Sequence, residues 1–175
     1  MKKSLKSWQI GGFIFTGILG VFLHFFYDWT GQNVIAALFS AVNESIWEHL
    51  KLLFFPMFVY ALIESRYIGR DYKNFWCVKL LGIVSGLVMI VVLYYTINGV
   101  LGSTPDWVNI AIFFIADAFT YYLETILLKG GYIKCNSPKK AVLLLGLIAL
   151  VFVVFTFIPP NIPLFEDPIT KQFGI

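Results

Sequence analysis

The chain has 175 residues, of which 59% are hydrophobic and 13% are charged, and its mean hydropathy is +0.80. This composition excludes an ordinary soluble domain and indicates an integral membrane protein. The net charge of +3 does not indicate nucleic-acid binding, because the basic residues are confined to short connections between apolar runs. We therefore expect one all-α domain over residues 1–175, with the lipid bilayer as its partner and no nucleic acid.

Five segments satisfy the requirement of about 20 apolar residues for a membrane-spanning helix. In chain order they cover residues 8–27, 46–63, 78–97, 107–128 and 141–158. The first has the basic start of a signal peptide but lacks small residues at a cleavage site, so we expect a retained anchor. The intervening "NVIAALFSAV" is too short to span and predicts an interfacial or re-entrant segment. The proline-rich tail, residues 159–175, predicts an extended strap across the outer face, with Phe165 and Leu164 buried.

The positions of lysine and arginine predict that the N-terminus is inside and the C-terminus outside. Basic residues precede the first span and flank the loops after the second and fourth spans: Lys2, Lys3, Lys6, Arg66, Arg70, Lys73, Lys79, Lys129, Lys134, Lys139 and Lys140. Only Lys51 and Lys171 fall on the other side. Cys77 and Cys135 would then face the cytoplasm, where thiols stay reduced, and we expect no role for them.

Small residues predict where the helices approach one another, because helices in lipid associate through close backbone contact. The third span contains Gly82 and Gly86 in a GxxxG pattern. The first span carries a stripe of small and polar residues at every fourth position, which we expect to face other helices: Gly12, Thr16, Gly20, His24 and Asp28.

The stretch "VNESIWEHLKLLFFPMF", residues 42–58, places charges at the head of an apolar span. Ser45 followed by Glu48 fits a capping box, which predicts a helix start at this point, and Pro56 predicts a kink deeper in the span. We expect a polar pocket at the outer level of the membrane, formed by His24, Asp28, Glu44, Glu48, His49 and Lys51. Asp117, near the bilayer middle with Glu124 two turns away, is a further candidate for proton or ligand binding.

Three functions are consistent with these residues. The first is binding or moving a small polar or cationic ligand, with proton coupling through Asp117; transport by five spans would require a homo-oligomer. The second is a structural or partner subunit in envelope assembly, in which the charges only cap a helix and fix packing. The third is a metal-dependent intramembrane hydrolase with Zn, Mn or Fe held by His24, Asp28, Glu44, Glu48 and His49, although HExxH is absent and Lys51 would repel a cation. The sequence identifies no cofactor and leaves open whether the protein is an enzyme.

The segments "HFFYDWTG", "LFSAVNESIWEHLKLLFFP" and "PPNIPLFEDPIT" resemble a family of small integral membrane proteins from anaerobic, mostly clostridial bacteria. That family is known only as a domain of unknown function, and the resemblance covers nearly the whole chain. It implies a multi-pass protein of the bacterial cytoplasmic membrane and brings no activity or site with it. The family's tail usually has glycine after the threonine, whereas this chain has Lys171 after Thr170.

Overall fold

A computed structural model of the protein describes residues 4–102 and 105–175; Lys2 and Lys3 lie outside the described residues. The helices are α1 (Leu5–Trp29), α2 (Val34–Ala37), α3 (Ile46–Tyr67), α4 (Phe75–Leu101), α5 (Asp106–Gly130) and α6 (Pro138–Phe157), with a 3-10 turn at Gly69–Asp71. All except α2 are long and apolar enough to cross a membrane. The predicted all-α architecture with five candidate spans is therefore confirmed, which suggests a multi-pass membrane protein.

The five long helices run alternately up and down. The two ends of the resulting bundle differ in charge. α1 packs on α3 and α5, and α4 packs on α3, α5 and α6. We call the end that holds residues 68–74 and 131–137 the basic end, because lysine and arginine are concentrated there. The opposite end holds α2, the start of α3 and the C-terminal tail. α2 is a four-residue helix that begins after an Asn33 cap, and its depth in a membrane stays a prediction.

The small-residue stripe of α1 faces neighbouring helices over most of its length, as predicted. Gly12 and Gly20 are buried, and Thr16 forms a 2.9 Å hydrogen bond with the Tyr121 hydroxyl of α5. Asp28 is exposed instead, because the bundle no longer covers this face of α1 at the end of the helix. The expectation that Asp28 faces another helix is therefore wrong.

Pro56 lies inside α3, and the helix continues to Tyr67. Proline has no N–H, so the carbonyl of Leu52, one turn earlier, loses its partner within the helix. Gly20 of α1 lies against this carbonyl: a Cβ atom on Gly20 would be 2.8 Å from the Leu52 oxygen and 2.7 Å from Phe113 Cζ. The glycine therefore allows the two backbones to approach where the proline leaves a carbonyl free.

The structure corrects the sequence analysis at the basic end. Lys79, which the sequence analysis assigned to a membrane-flanking loop, is 2% exposed and lies within the bundle. Cys77 and Cys135 form a disulfide that joins the start of α4 to the connection between α5 and α6. The prediction of two reduced thiols without a role is therefore wrong. Because disulfides persist mainly in oxidising compartments, this bond is evidence against a cytoplasmic basic end, whereas the lysines and arginines favour it.

The C-terminal tail packs on the N-terminal end of α3. The backbone N–H of Trp47 donates to the Leu164 carbonyl at 3.0 Å, and Phe165 packs against the Trp47 ring and is 4% exposed. The expected burial of Phe165 is confirmed. The tail contains turns where an extended chain was predicted. The Asp167 carboxylate accepts a hydrogen bond from the backbone N–H of Ile169, and Lys171 adopts a left-handed conformation with φ of 61°.

Candidate cation site and buried charges

The structure gathers three of the predicted site residues from three parts of the chain. His24 lies near the end of α1, Glu44 lies in the connection before α3, and His49 lies in the first turn of α3. Each offers one potential ligand atom, and these atoms lie within 4.8 Å of one another. We call this group the outer cation site. Two imidazoles and a carboxylate form a donor set that suits zinc and related divalent metals.

The backbone of the α3 start fixes the ring of His49. Its Nδ1 lies 2.9 Å from the Ser45 carbonyl, which can only accept a hydrogen bond, so Nδ1 carries the proton. Its Nε2 lies 3.4 Å from Glu44 Oε2, and in a neutral imidazole this nitrogen carries the lone pair that could bind a metal. A histidine whose second nitrogen donates to a carbonyl is the usual arrangement of a metal ligand.

His24 presents an unsatisfied ring nitrogen near this group. Its Nδ1 is buried, and no hydrogen-bond partner lies within reach among the described residues. The ring centroid of His24 is 5.2 Å from that of His49 and 4.8 Å from that of Phe25. Because buried polar atoms nearly always have a partner, an unprotonated Nδ1 at this position would need a proton donor or a cation as its ligand.

Glu48 and Lys51 do not join the outer cation site. They form an ion pair of 2.5 Å inside the bundle, where both are at most 2% exposed. Lys51 also donates to the Ala37 carbonyl and to Thr156 Oγ1, both at 2.9 Å, and Val42 N–H donates to Glu48. The Ser45 cap of α3 is present, but Glu48 does not complete the capping box because its carboxylate binds Lys51. The single predicted pocket therefore divides into an outer cation site and a closed ion pair below it.

The remaining predicted residues are separate from both groups. Asp28 is exposed and does not belong to the outer cation site. Asp117 is fully buried in the middle of α5, and neither of its carboxylate oxygens has a hydrogen-bond partner among the described residues.

A second buried charge group, which was not predicted from the sequence, lies near the basic end. Lys79 Nζ lies 2.5 Å from Glu64 Oε2 and 2.6 Å from Glu124 Oε2, and all three side chains are at most 2% exposed. Gln9 of α1 donates to Glu64 at 2.8 Å. These residues lie one or two turns from the helix ends that meet at the basic end of the bundle, so a comparison of their depths across the helices could have predicted the group.

Comparison with known proteins adds a family but no activity. A search of curated proteins and a search of solved structures each find no match. The model of one protein family matches the chain over residues 1–175. The chain thus belongs to DUF6512, a family of unknown function.

Proposed function

We propose that the protein binds a small cation, most readily a divalent transition metal, at the outer cation site, and that this cation is its ligand. The observation that carries the proposal is the convergence of His24, Glu44 and His49, with their ligand atoms within 4.8 Å. Nitrogen ligands bind zinc at about 2.0–2.1 Å, so two ligands of a tetrahedral ion are about 3.4 Å apart. The side chains therefore need to close by about 1.5 Å, which rotamer changes of the exposed Glu44 can supply in part.

The position of Lys51 removes the main argument against a cation. Its charge is paired with Glu48 and enclosed among Ala37 and Thr156, so it does not point at the outer cation site. The site itself contains the carboxylate of Glu44, and the exposed Asp28 outside it interacts electrostatically with His24. Both favour a bound cation.

The proposal also includes the membrane location and the orientation of the protein. We place the protein in the bacterial cytoplasmic membrane with the basic end inside, so that the outer cation site faces the extracytoplasmic side. Movement of the cation through the membrane would require a homo-oligomer, because five spans do not divide into matched halves. Single cysteines at Gly31, Gly102 and Asn136 in a background lacking Cys77 and Cys135 test the orientation. Labelling from outside at the first two and protection of the third are expected, and the reverse pattern contradicts the placement.

Zinc titration of the purified protein tests the binding proposal. The chain contains only two histidines, so a purification tag without histidine leaves no other imidazole in the sample. We expect stoichiometric binding by calorimetry after EDTA treatment, weakened at least tenfold, or about 1.4 kcal/mol, by His24→Ala or His49→Ala. Asp28→Asn is the matched control and should have a smaller effect. Unchanged binding in the double histidine variant, or no binding by the wild type, would overturn the proposal.

The donor set also favours a second candidate function, metal-dependent hydrolysis at the membrane surface. Two histidines and one glutamate are the protein ligands of several zinc hydrolases, in which a water occupies the fourth position. The exposure of Glu44 leaves room for such a water. Zinc-dependent cleavage of lipid esters or peptides that is lost in His49→Ala would support this candidate. Stoichiometric zinc with no turnover of either substrate class would leave binding or transport as the function.

A further inference from the structure

The charges inside the bundle do not balance. Lys79 contacts both Glu64 and Glu124 inside the bundle, where all three side chains are at most 2% exposed and two carboxylates face one ammonium group. We call these three residues the interior charge cluster. With all three groups ionised, the cluster would carry an excess of one negative charge.

Asp117 adds a second unpaired carboxylate on the same face of α5. It lies two turns before Glu124, and Tyr121 lies between them. Asp117 is 0% exposed, and both of its oxygens lack a hydrogen-bond partner among the described residues. The Tyr121 hydroxyl is committed to Thr16, and the Tyr121 ring lies 5.4 Å from Lys79 Nζ.

The Glu48–Lys51 pair shows how this protein encloses charges that balance. That pair has one carboxylate and one ammonium group, and its oxygens accept hydrogen bonds from Val42 N–H and Thr156 Oγ1. Among the residues that the structure describes, Asp117 has no comparable partner. An ionised carboxylate that is buried without a partner is strongly unfavourable, and a bound proton removes that charge.

We propose that Asp117 is a proton-binding site, which exchanges its proton with solvent and is coupled through charge to the interior charge cluster. The proton adds to a carboxylate oxygen, giving a neutral carboxylic acid, and leaves to water. This proposal does not depend on the outer cation site.

The groups that face Asp117 and the interior charge cluster come from each neighbouring element. α1 supplies the uncharged Gln9 and Thr16. The titratable and charged groups on the other elements are Tyr60, Glu64, Tyr72, Lys79, Tyr121 and Glu124. Lys79 is the one cation among these six, and its charge is already shared by two glutamates. It therefore does not neutralise Asp117.

A groove lies between α1 and α5, next to Gln9 and Tyr121. Its volume is about 240 Å³, and its lining is mostly apolar, with Ile10, Phe13, Ala118, Tyr121 and Tyr122 beside Lys6, Gln9 and Thr125. Gln9 binds Glu64 directly, and Ala118 is adjacent to Asp117 in the chain. The groove therefore lies one side chain, that of Gln9, from the interior charge cluster.

Infrared spectroscopy of the protein in lipid vesicles, treated with EDTA to exclude any metal, tests the proposal. At neutral pH we expect the carbonyl band of a protonated carboxylic acid, which shifts in D2O and disappears at alkaline pH. Aspartate labelled with 13C should shift this band in the wild type, which assigns it to an aspartate even if variants misfold. Asp117→Asn should abolish the band, and the exposed Asp106→Asn should retain it.

The proposal is overturned if the band is absent, if the aspartate label does not move it, or if it persists in Asp117→Asn. A band that does not shift in D2O and does not titrate would show a permanently sequestered proton and would also overturn it. Replacement of choline by sodium should leave the band unchanged, whereas its loss in sodium would show that a metal cation displaces the proton. None of these infrared experiments includes zinc, so their outcome is independent of the proposed cation function.

Discussion

Replacement of Lys79 by methionine should destabilise the bundle strongly while changing its packing little. Methionine is an unbranched side chain of similar length, so it can occupy the space of the lysine stem, but it leaves the ammonium position empty. The change strands Glu64 and Glu124, whose oxygens lie 2.5 Å and 2.6 Å from Lys79 Nζ. Removing one partner of a buried ion pair typically costs about 3–5 kcal/mol, and here two carboxylates lose the same partner. We therefore expect a loss at the upper end of that range, on the order of 10 °C in the unfolding midpoint.

Thermal unfolding in detergent, followed by tryptophan fluorescence, measures this loss. Lys73→Met, at an exposed position in the connection that precedes α4, is the matched control. It should unfold within a degree or two of the wild type. Adding Glu64→Gln and Glu124→Gln to Lys79→Met should recover most of the stability, because the stranded charges are then gone. A Lys79→Met protein with the midpoint of the wild type, or a triple variant without recovery, would refute the assignment of a tightly paired interior charge cluster.

Three further predictions concern packing, the tail and the disulfide. Gly20→Ala should lower stability by about 1–3 kcal/mol, because the new methyl group meets the freed carbonyl of α3, whereas Gly146→Ala, with nothing within 4 Å, should be neutral or stabilising by up to about 1 kcal/mol; equal midpoints would contradict this. Lys171→Gly should stabilise the tail turn by about 1 kcal/mol, since glycine adopts a φ of 61° without strain; faster proteolysis of the tail in that variant would count against it. In the purified protein, Cys77 and Cys135 should resist alkylation until a reductant is added, because they are paired at a Cα distance of 5.6 Å; alkylation without a reductant would contradict the pairing.

The sequence was sufficient to predict the elements that depend on local pattern. Apolar run length predicted five spans, and the structure extends most of them by a few residues because helices continue into polar flanks. The spacing of Gly12, Thr16 and Gly20 predicted a contact face, and Ser45 predicted the start of α3. Each of these inferences uses residues within one helix, where periodicity fixes the geometry.

The positions of individual charges could not be predicted in the same way. Lys79 lies close enough to the start of α4 to extend to the interface or to turn inward, and only Glu64 and Glu124 on other helices decide between the two. Glu48 and His49 are adjacent in sequence, yet one turns to Lys51 and the other to Glu44. These choices depend on contacts between distant segments, about which a single sequence gives little information.

X-ray absorption at the zinc edge of the zinc-loaded protein tests the central claim of a cation site most directly. The account predicts a coordination shell with two imidazole ligands at about 2.0–2.1 Å, together with oxygen from Glu44. His49→Ala should reduce the imidazole contribution to one ring. A shell made only of oxygen, or a spectrum that His49→Ala leaves unchanged, would contradict the claim.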